Sequence, residues 1–232
     1  MRRAPLIEAA GSAVFVTVVV TIGTMFVPKD HSGTFVGLVF LAAVWGLVWR
    51  RADDEVKRCG VSLGGLMLGA PIAFRPLMGQ ALRAIGWALA FAAVSFPMFY
   101  FGWRWWWKPG EHFSIALQPW ETANLVLGQV VLVALPEEAF YRGYLQTRFD
   151  DAFEAKLNLF GARVGPGLLI ASAIFAIGHV LTIHAPARLA VFFPSLVFGW
   201  MRARTGGVGA SIAFHVMCNL FTEMLGRGYG LY

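Results

Sequence analysis

The sequence predicts an all-α membrane protein, a polytopic transmembrane helical bundle with seven or eight spans. Of its 232 residues, 58% are hydrophobic and only 14% are charged, and the mean hydropathy is +0.64. Soluble domains have about 45–50% apolar and about 25% charged residues. Several apolar runs also approach the ~20 residues that a helix needs to cross a bilayer. Because these runs use most of the chain, we expect a single membrane domain, residues 1–232.

Seven segments are predicted to span the membrane, and an eighth is ambiguous. The seven are residues 6–27, 34–49, 84–103, 122–141, 167–183, 189–201 and 208–225. The stretch 61–74 is apolar but short and rich in glycine, so it is an eighth span, a re-entrant piece or an interfacial helix. The first segment lacks a clear small-residue cleavage site, and we expect it to be a retained helix rather than a signal peptide.

The basic residues suggest an orientation for the chain. With the N-terminus inside and seven spans, most lysines and arginines fall on the inner side, as the positive-inside rule requires. An eighth span at 61–74 would invert everything after it, so the face on which a site opens is left undecided. The tryptophan-rich run 103–107 is typical of an interfacial anchor. The expected surroundings are therefore the lipid bilayer of a cell membrane, most simply a bacterial inner membrane, and no nucleic-acid partner is expected.

Two adjacent glutamates interrupt one of these apolar segments. Ionisable groups at membrane depth cost roughly 2.5–3.5 kcal/mol each and usually mark a functional site. On a helix, Glu138 and Arg142 are four residues apart and share a face, so they can form an ion pair. Glu137 has Tyr141 at that spacing and no cation, and it points about 100° away from Glu138. We therefore expect Glu138 and Arg142 to be structural and Glu137 to be free to accept a proton from water.

Three further polar residues lie in the later spans. His179 stands alone in its segment, whereas His215 and Asn219 are four apart and share a face, so both can donate hydrogen bonds to a developing oxyanion. At about 1.5 Å of rise per residue, Glu137, His179 and His215 lie at similar depths. Each residue alone could be an ordinary packed polar group, but together they predict a site around one buried water. Glu223 lies near the end of a span, and we expect it to be structural.

These residues resemble the motifs of the CPBP family, the CAAX-protease and bacteriocin-processing intramembrane proteases that include the Rce1-like enzymes. The resemblance rests on three motifs in order, Glu137-Glu138-x-x-x-Arg142, Phe175-x-x-x-His179 and His215-x-x-x-Asn219, and on the stretch 192–219, "FFPSLVFGWMRARTGGVGASIAFHVMCN". It covers about residues 122–225, which would be the catalytic core helices.

The resemblance implies an all-helical membrane fold and a glutamic-type peptidase. Glu137 with His179 would activate water, and His215 with Asn219 would form the oxyanion hole. Glu138 and Arg142 would support the site. The leading hypothesis is an intramembrane endopeptidase, without a cofactor, that cleaves a membrane-associated or terminally tagged protein or peptide.

Three alternatives remain open at this point. Glu137, His179 and His215 could bind Zn²⁺ with one position left for water, although the absence of a His-Glu-x-x-His motif makes zinc the less favoured mechanism. A non-catalytic scaffold, chaperone or immunity protein could keep the fold without activity. A proton-coupled transporter could use buried glutamate and histidine, but no repeated halves are visible. The two cysteines have neither metal-site nor disulfide spacing, and both are predicted to be reduced.

Overall fold

The computed structural model describes residues 2–110, 112–115, 118–153 and 157–231, and these are predominantly helical. The predicted all-α membrane bundle is therefore confirmed. The helices are α1 Arg3–Thr24, α2 Lys29–Val44, α3 Asp53–Arg58, α4 Phe74–Trp107, α5 Pro119–Gly128, α6 Leu135–Glu138, α7 Gln146–Phe153, α8 Pro166–Ile183, α9 Phe192–Thr205 and α10 Gly209–Gly228.

Among the described residues, five helical segments are long and apolar enough to cross a membrane. They are Arg3–Thr24, Lys29–Trp49, Phe74–Trp107, Pro119–Phe153 and Pro166–Ile183. The predicted count of seven or eight is therefore not confirmed. Helix α9 has 14 residues, fewer than the ~20 that a perpendicular span requires. Helix α10 has 20 residues, but it carries polar side chains in its middle, at His215 and Asn219, and an ion pair near its end, between Glu223 and Arg227.

The ambiguous stretch 61–74 does not form an eighth span. Its only regular structure before the start of α4 is the short 3₁₀ turn Leu63–Gly65, and Gly64 and Gly65 both have positive φ angles. Such left-handed conformations suit glycine and break a helix. The chain consequently leaves α2 and enters α4 at the same end of the bundle.

Backbone hydrogen bonds fix which connections share an end of the bundle. The amide of Arg2 donates to the carbonyl of Ala152 at 2.9 Å, and the amide of Val208 donates to Gly60 at 2.9 Å. With the bond from Trp200 Nε1 to the carbonyl of Leu159 at 2.9 Å, they place residues 2–3, 50–73, 157–165 and 206–208 at one end, which we call the arginine-rich end. Residues 25–28, 108–110, 112–115, 184–185 and 229–231 form the opposite end, where the amide of Ser114 donates to Gly228 at 2.8 Å.

The segment that carries the two glutamates is one continuous helical rod, Pro119–Phe153. Wide π-helical turns at Gln129–Ala134 and Ala139–Leu145 connect α5, α6 and α7 within it. Pro136 has no N–H, so the carbonyl of Leu132 loses its regular helical partner. Helix α2 comes close to this point, because a Cβ on Gly37 would overlap the Leu132 carbonyl oxygen. The widened turns immediately before and after the glutamates are a feature that is frequent at functional sites.

A small β-hairpin lies at the arginine-rich end and was not expected from the sequence. Strands β1 Leu157–Leu159 and β2 Ala162–Val164 pair antiparallel, with Leu157 opposite Val164. Gly161 allows the tight turn because its φ is positive. Lys156, which precedes the hairpin and was among the expected inner basic residues, lies outside the described residues.

Ion pairs tie several elements together at the arginine-rich end. Arg148 of α7 lies 2.8 Å from Glu55 of α3 and 3.5 Å from Glu8 of α1. Arg58 pairs with Glu55 at 2.9 Å, and this hydrogen-bonded partner lowers the pKa of the Glu55 carboxyl. Burial raises the pKa of the neighbouring Cys59 thiol to about 12, so at neutral pH this cysteine is an inert thiol.

Two apolar clusters form the interior of the bundle. The first consists of residues from α1, α2, α8 and the rod, and it includes Phe140 and Phe175. The second joins α4, α9 and α10 and includes Phe198 and Phe214. The buried Arg142 lies where the two clusters meet, between Phe175 of the first and Phe198 of the second.

Candidate active site

Glu138 and Arg142 form the predicted ion pair at the junction of the two clusters. Arg142 Nη1 lies 3.2 Å from Glu138 Oε1, and both side chains are almost wholly inaccessible. The Nη2 atom of Arg142 donates to Ser195 Oγ at 2.8 Å. The guanidinium also lies over Phe175 and Phe198, at 4.3 and 5.2 Å from their ring centres. This arrangement fixes the Glu138 carboxylate in one position.

His215 lies between the two glutamates. Its Nδ1 is 2.9 Å from Glu138 Oε1, and because that carboxylate oxygen also pairs with Arg142, Nδ1 is the donor. Its Nε2 is 3.8 Å from Glu137 Oε2. The ring stacks on Phe198 with 4.8 Å between centres. The sequence placed His215 at the right depth but did not predict that it contacts Glu138.

Glu137 differs from its neighbour in having no arginine or lysine paired with it among the described residues. Its Oε2 is buried and makes no hydrogen bond within the described part of the chain. The 3.8 Å to His215 is too long for a direct hydrogen bond. The side chain lines a cavity of about 270 Å³, together with Tyr141 and His179. Glu137 is therefore the carboxylate with hydrogen-bonding capacity left for a molecule in the cavity.

His179 lines the same cavity from α8. Its Nδ1 lies 2.9 Å from the carbonyl oxygen of Phe175. Since a carbonyl can only accept, Nδ1 carries the hydrogen, and in the neutral ring Nε2 is an acceptor. The ring also packs 4.3 Å from the Phe175 ring. The predicted convergence of the rod and α8 on one space is thus observed.

Asn219 is held outside this cavity. It lies one turn beyond His215 on α10 and donates from Nδ2 to Gln129 Oε1 at 2.8 Å. It is not among the described residues that line the cavity. Its part in an oxyanion hole remains a prediction. Glu223, expected to be structural, pairs with Arg227 at 2.6 Å near the end of α10.

Sequence reasoning missed two polar partners of the site, of which Ser195 is buried and Gln129 is partly exposed. Ser195 accepts from Arg142, and Gln129 accepts from Asn219. Both are polar residues inside otherwise apolar helices, and this feature could have marked them in the sequence. Neither residue belongs to a recognisable motif. Within residues 2–110, 112–115, 118–153 and 157–231, no three His, Cys, Asp or Glu side chains are grouped so that they could hold a metal ion.

Fold and site together define a class, the multi-pass membrane proteins with a buried carboxylate–histidine site. Residues 119–221 match the family model described as Rce1-like, type II CAAX prenyl endopeptidase. The chain therefore contains an Rce1-like domain, as the CPBP resemblance predicted. The matched range includes every predicted site residue from Glu137 to Asn219. At family level this domain is that of a membrane-embedded endopeptidase. No curated protein and no solved structure matched the chain in the corresponding comparisons.

Proposed function

We propose that this protein is an intramembrane endopeptidase in which Glu137 is the general base. The observation that carries the proposal is the different state of the two glutamates. Glu138 is engaged by Arg142 and His215, whereas Glu137 lines the cavity with an oxygen that has no hydrogen-bond partner among the described residues. A carboxylate placed in this way can accept a proton from a water molecule in the cavity.

The reaction follows from that placement. Glu137 takes a proton from water as the water oxygen bonds to the carbon of the peptide carbonyl. The C–N bond then breaks, and the leaving nitrogen receives the proton from Glu137. His179 holds the attacking water through Nε2, because its Nδ1–H is fixed by the Phe175 carbonyl. Positioning of this kind supplies much of the acceleration in hydrolytic enzymes.

Stabilisation of the oxyanion is assigned to α10. His215 presents Nε2 toward Glu137, and this atom can donate to the oxyanion when the ring is doubly protonated. Asn219, one turn away, can donate after its amide turns from Gln129. Glu138 and Arg142 act as positioning residues that hold His215. The mechanism needs no metal or other cofactor.

The proposed substrate is a membrane-associated protein, prenylated or otherwise anchored. The rival function is that of a non-catalytic scaffold or immunity protein with the same fold. The motif residues favour catalysis, because a scaffold does not require a buried glutamate in a cavity, and burying one is costly.

The test compares wild-type cells with cells that carry Glu137→Ala, by proteomics of the termini of membrane and secreted proteins. We expect specific termini to disappear in the variant while its own level stays normal, and the lost termini identify the substrates. If the termini are unchanged although deletion of the gene has a phenotype, Glu137 is not catalytic and the scaffold function replaces this proposal.

The cavity provides a second prediction, which concerns substrate binding. Gly33 lines the cavity, and a Cβ at this position would have no neighbour within 4 Å. Gly33→Leu therefore adds bulk at the cavity wall, and its Cβ meets no protein atom. We expect a higher KM or complete exclusion of substrate, with a melting temperature that does not fall because leucine favours a helix over glycine.

The matched control for that variant is Gly86→Leu. Gly86 is exposed on α4, and a Cβ there also has no neighbour within 4 Å. We expect its cleavage kinetics to equal those of the wild type. Equal kinetics for both variants would mean that substrate does not pass Gly33.

A further inference from the structure

The residues that line the cavity at Glu137 extend to one end of the bundle. Its outer residues lie in the first turns of α2, at Ser32 and Gly33, and in the last turn of α8, at Thr182 and Ile183. These four residues, which we call the cavity mouth, are at the opposite end from the arginine-rich connections. Glu137 and Tyr141 lie deeper, near the middle of the rod.

The basic residues of the two ends are unevenly distributed. The described basic residues at the arginine-rich end are Arg2, Arg3, Arg50, Arg51, Lys57, Arg58, Arg75, Arg83, Arg148, Arg163, Arg202 and Arg204. Those at the opposite end are Lys29, Arg104, Lys108, Arg188 and Arg227. Arg83 belongs to the first group because its neighbour Ala84 packs against Gly209, at the beginning of α10.

This asymmetry orients the bundle in a membrane. Lysine and arginine in short connections remain on the cytoplasmic side, and every connection at the arginine-rich end is short. The stretch 61–74 does not cross the bundle. It therefore does not invert the orientation of the helices that follow it. The arginine-rich end is therefore cytoplasmic, and the cavity mouth lies on the other side.

We propose that the cavity receives its substrate from the extracytoplasmic face of the membrane, as a segment of an exported, membrane-anchored protein. That the bound segment is a substrate rests on the proposed function. The side of the membrane that the cavity faces does not depend on it. The walls suit such a segment, because apolar side chains such as Val20, Val36 and Ile183 surround the hydroxyls of Ser32 and Thr182. A volume of about 270 Å³ is smaller than that of most ligand pockets, about 300–1,000 Å³. This small cavity volume favours a short extended peptide with small side chains.

The test uses single added cysteines and a charged maleimide that does not cross membranes. Ser32→Cys reports the cavity mouth, Gly110→Cys reports the same end away from the cavity, and Asn158→Cys reports the hairpin at the arginine-rich end. The protein without an added cysteine measures the background labelling of Cys59 and Cys218. We expect Ser32→Cys and Gly110→Cys to be labelled in intact cells, and Asn158→Cys only after permeabilisation.

Two labelling results would overturn the inference. One is the reverse pattern, with Asn158→Cys labelled in intact cells and Gly110→Cys protected, because the bundle would then have the opposite orientation. The other is a Ser32→Cys that stays unlabelled after permeabilisation while Gly110→Cys reacts, because the cavity would then not open at this end.

Substrate entry is tested on the same labelled cells. The assay follows cleavage of a substrate that was identified from its lost terminus. We expect the maleimide on Ser32→Cys to stop this cleavage in intact cells and the maleimide on Gly110→Cys to leave it unchanged. Continued cleavage by fully labelled Ser32→Cys would refute entry from this face. Labelling does not require catalysis, so a Glu137→Ala variant that keeps all termini would refute the peptidase and leave the labelling pattern intact.

Discussion

Glu137→Gln is expected to lower kcat for peptide cleavage by about 10²–10⁴-fold, the usual contribution of a general base. The amide has nearly the same shape as the carboxylate but cannot take a proton from water. Because Glu137 makes no ion pair with a described lysine or arginine and no hydrogen bond through Oε2, the protein should keep its fold and its melting temperature. The measurement is cleavage by the purified protein of a peptide that spans a terminus identified in cells, with thermal unfolding measured in the same detergent.

Glu223→Gln is the matched control for this variant. Glu223 is also a glutamate in a membrane-embedded helix, but it pairs with Arg227 near the end of α10 and away from the cavity. We expect its kcat to equal that of the wild type. If Glu137→Gln cleaved at the wild-type rate, another group would have to be the base, and the division of roles between the two glutamates would be wrong.

Arg142→Met is expected to produce a large loss of stability, about 3–5 kcal/mol in the free energy of unfolding, the usual cost of removing one partner from a buried ion pair. The change leaves the Glu138 carboxylate, which is 0% exposed, without its cation. It also removes the hydrogen bond to Ser195 and the contacts with Phe175 and Phe198. Denaturant-induced unfolding in detergent measures the change.

Two further variants separate charge burial from loss of packing. In the double variant Glu138→Gln with Arg142→Met, no charge is left unpaired, so we expect part of the stability to return. Arg148→Met is the control at the arginine-rich end, where the partner carboxylates are partly exposed. Glu55 and Asp151 keep Arg58 as a partner and Glu8 is open to solvent, so we expect a smaller loss, nearer the roughly 0–1 kcal/mol that is usual for ion pairs in contact with water. If Arg142→Met cost no more than Arg148→Met, the buried pair would not hold the site together.

The parts of the site that the sequence predicted correctly depend on local helix geometry. The pairing of Glu138 with Arg142 follows from their spacing of four residues, and so does the freedom of Glu137 from any such partner. The shared cavity of Glu137 and His179 followed from counting residues between a polar connection and each side chain. These inferences needed only the rise and the period of a helix, which do not depend on the rest of the fold.

The contacts between distant segments could not be predicted in this way. The bond from Arg142 to Ser195 joins residues 53 apart, and the bond from Asn219 to Gln129 joins residues 90 apart. Both depend on how helices rotate and tilt against one another. The position of His215 between the glutamates has the same origin, because the stacking of its ring on Phe198 of α9 sets its orientation.

By itself, the sequence determined that this protein is a helical membrane bundle, and it predicted the candidate site residues, because hydropathy and helical spacing are local properties of a chain. Only the tertiary structure decided the rest. It showed that 61–74 is a connection, that the wide turn before the glutamates lies beside Gly37, and that Glu137 and His179 line one cavity together with residues of α1 and α2. Each of these depends on packing between segments, and close contacts of that kind are set by the shapes of both surfaces rather than by either sequence alone.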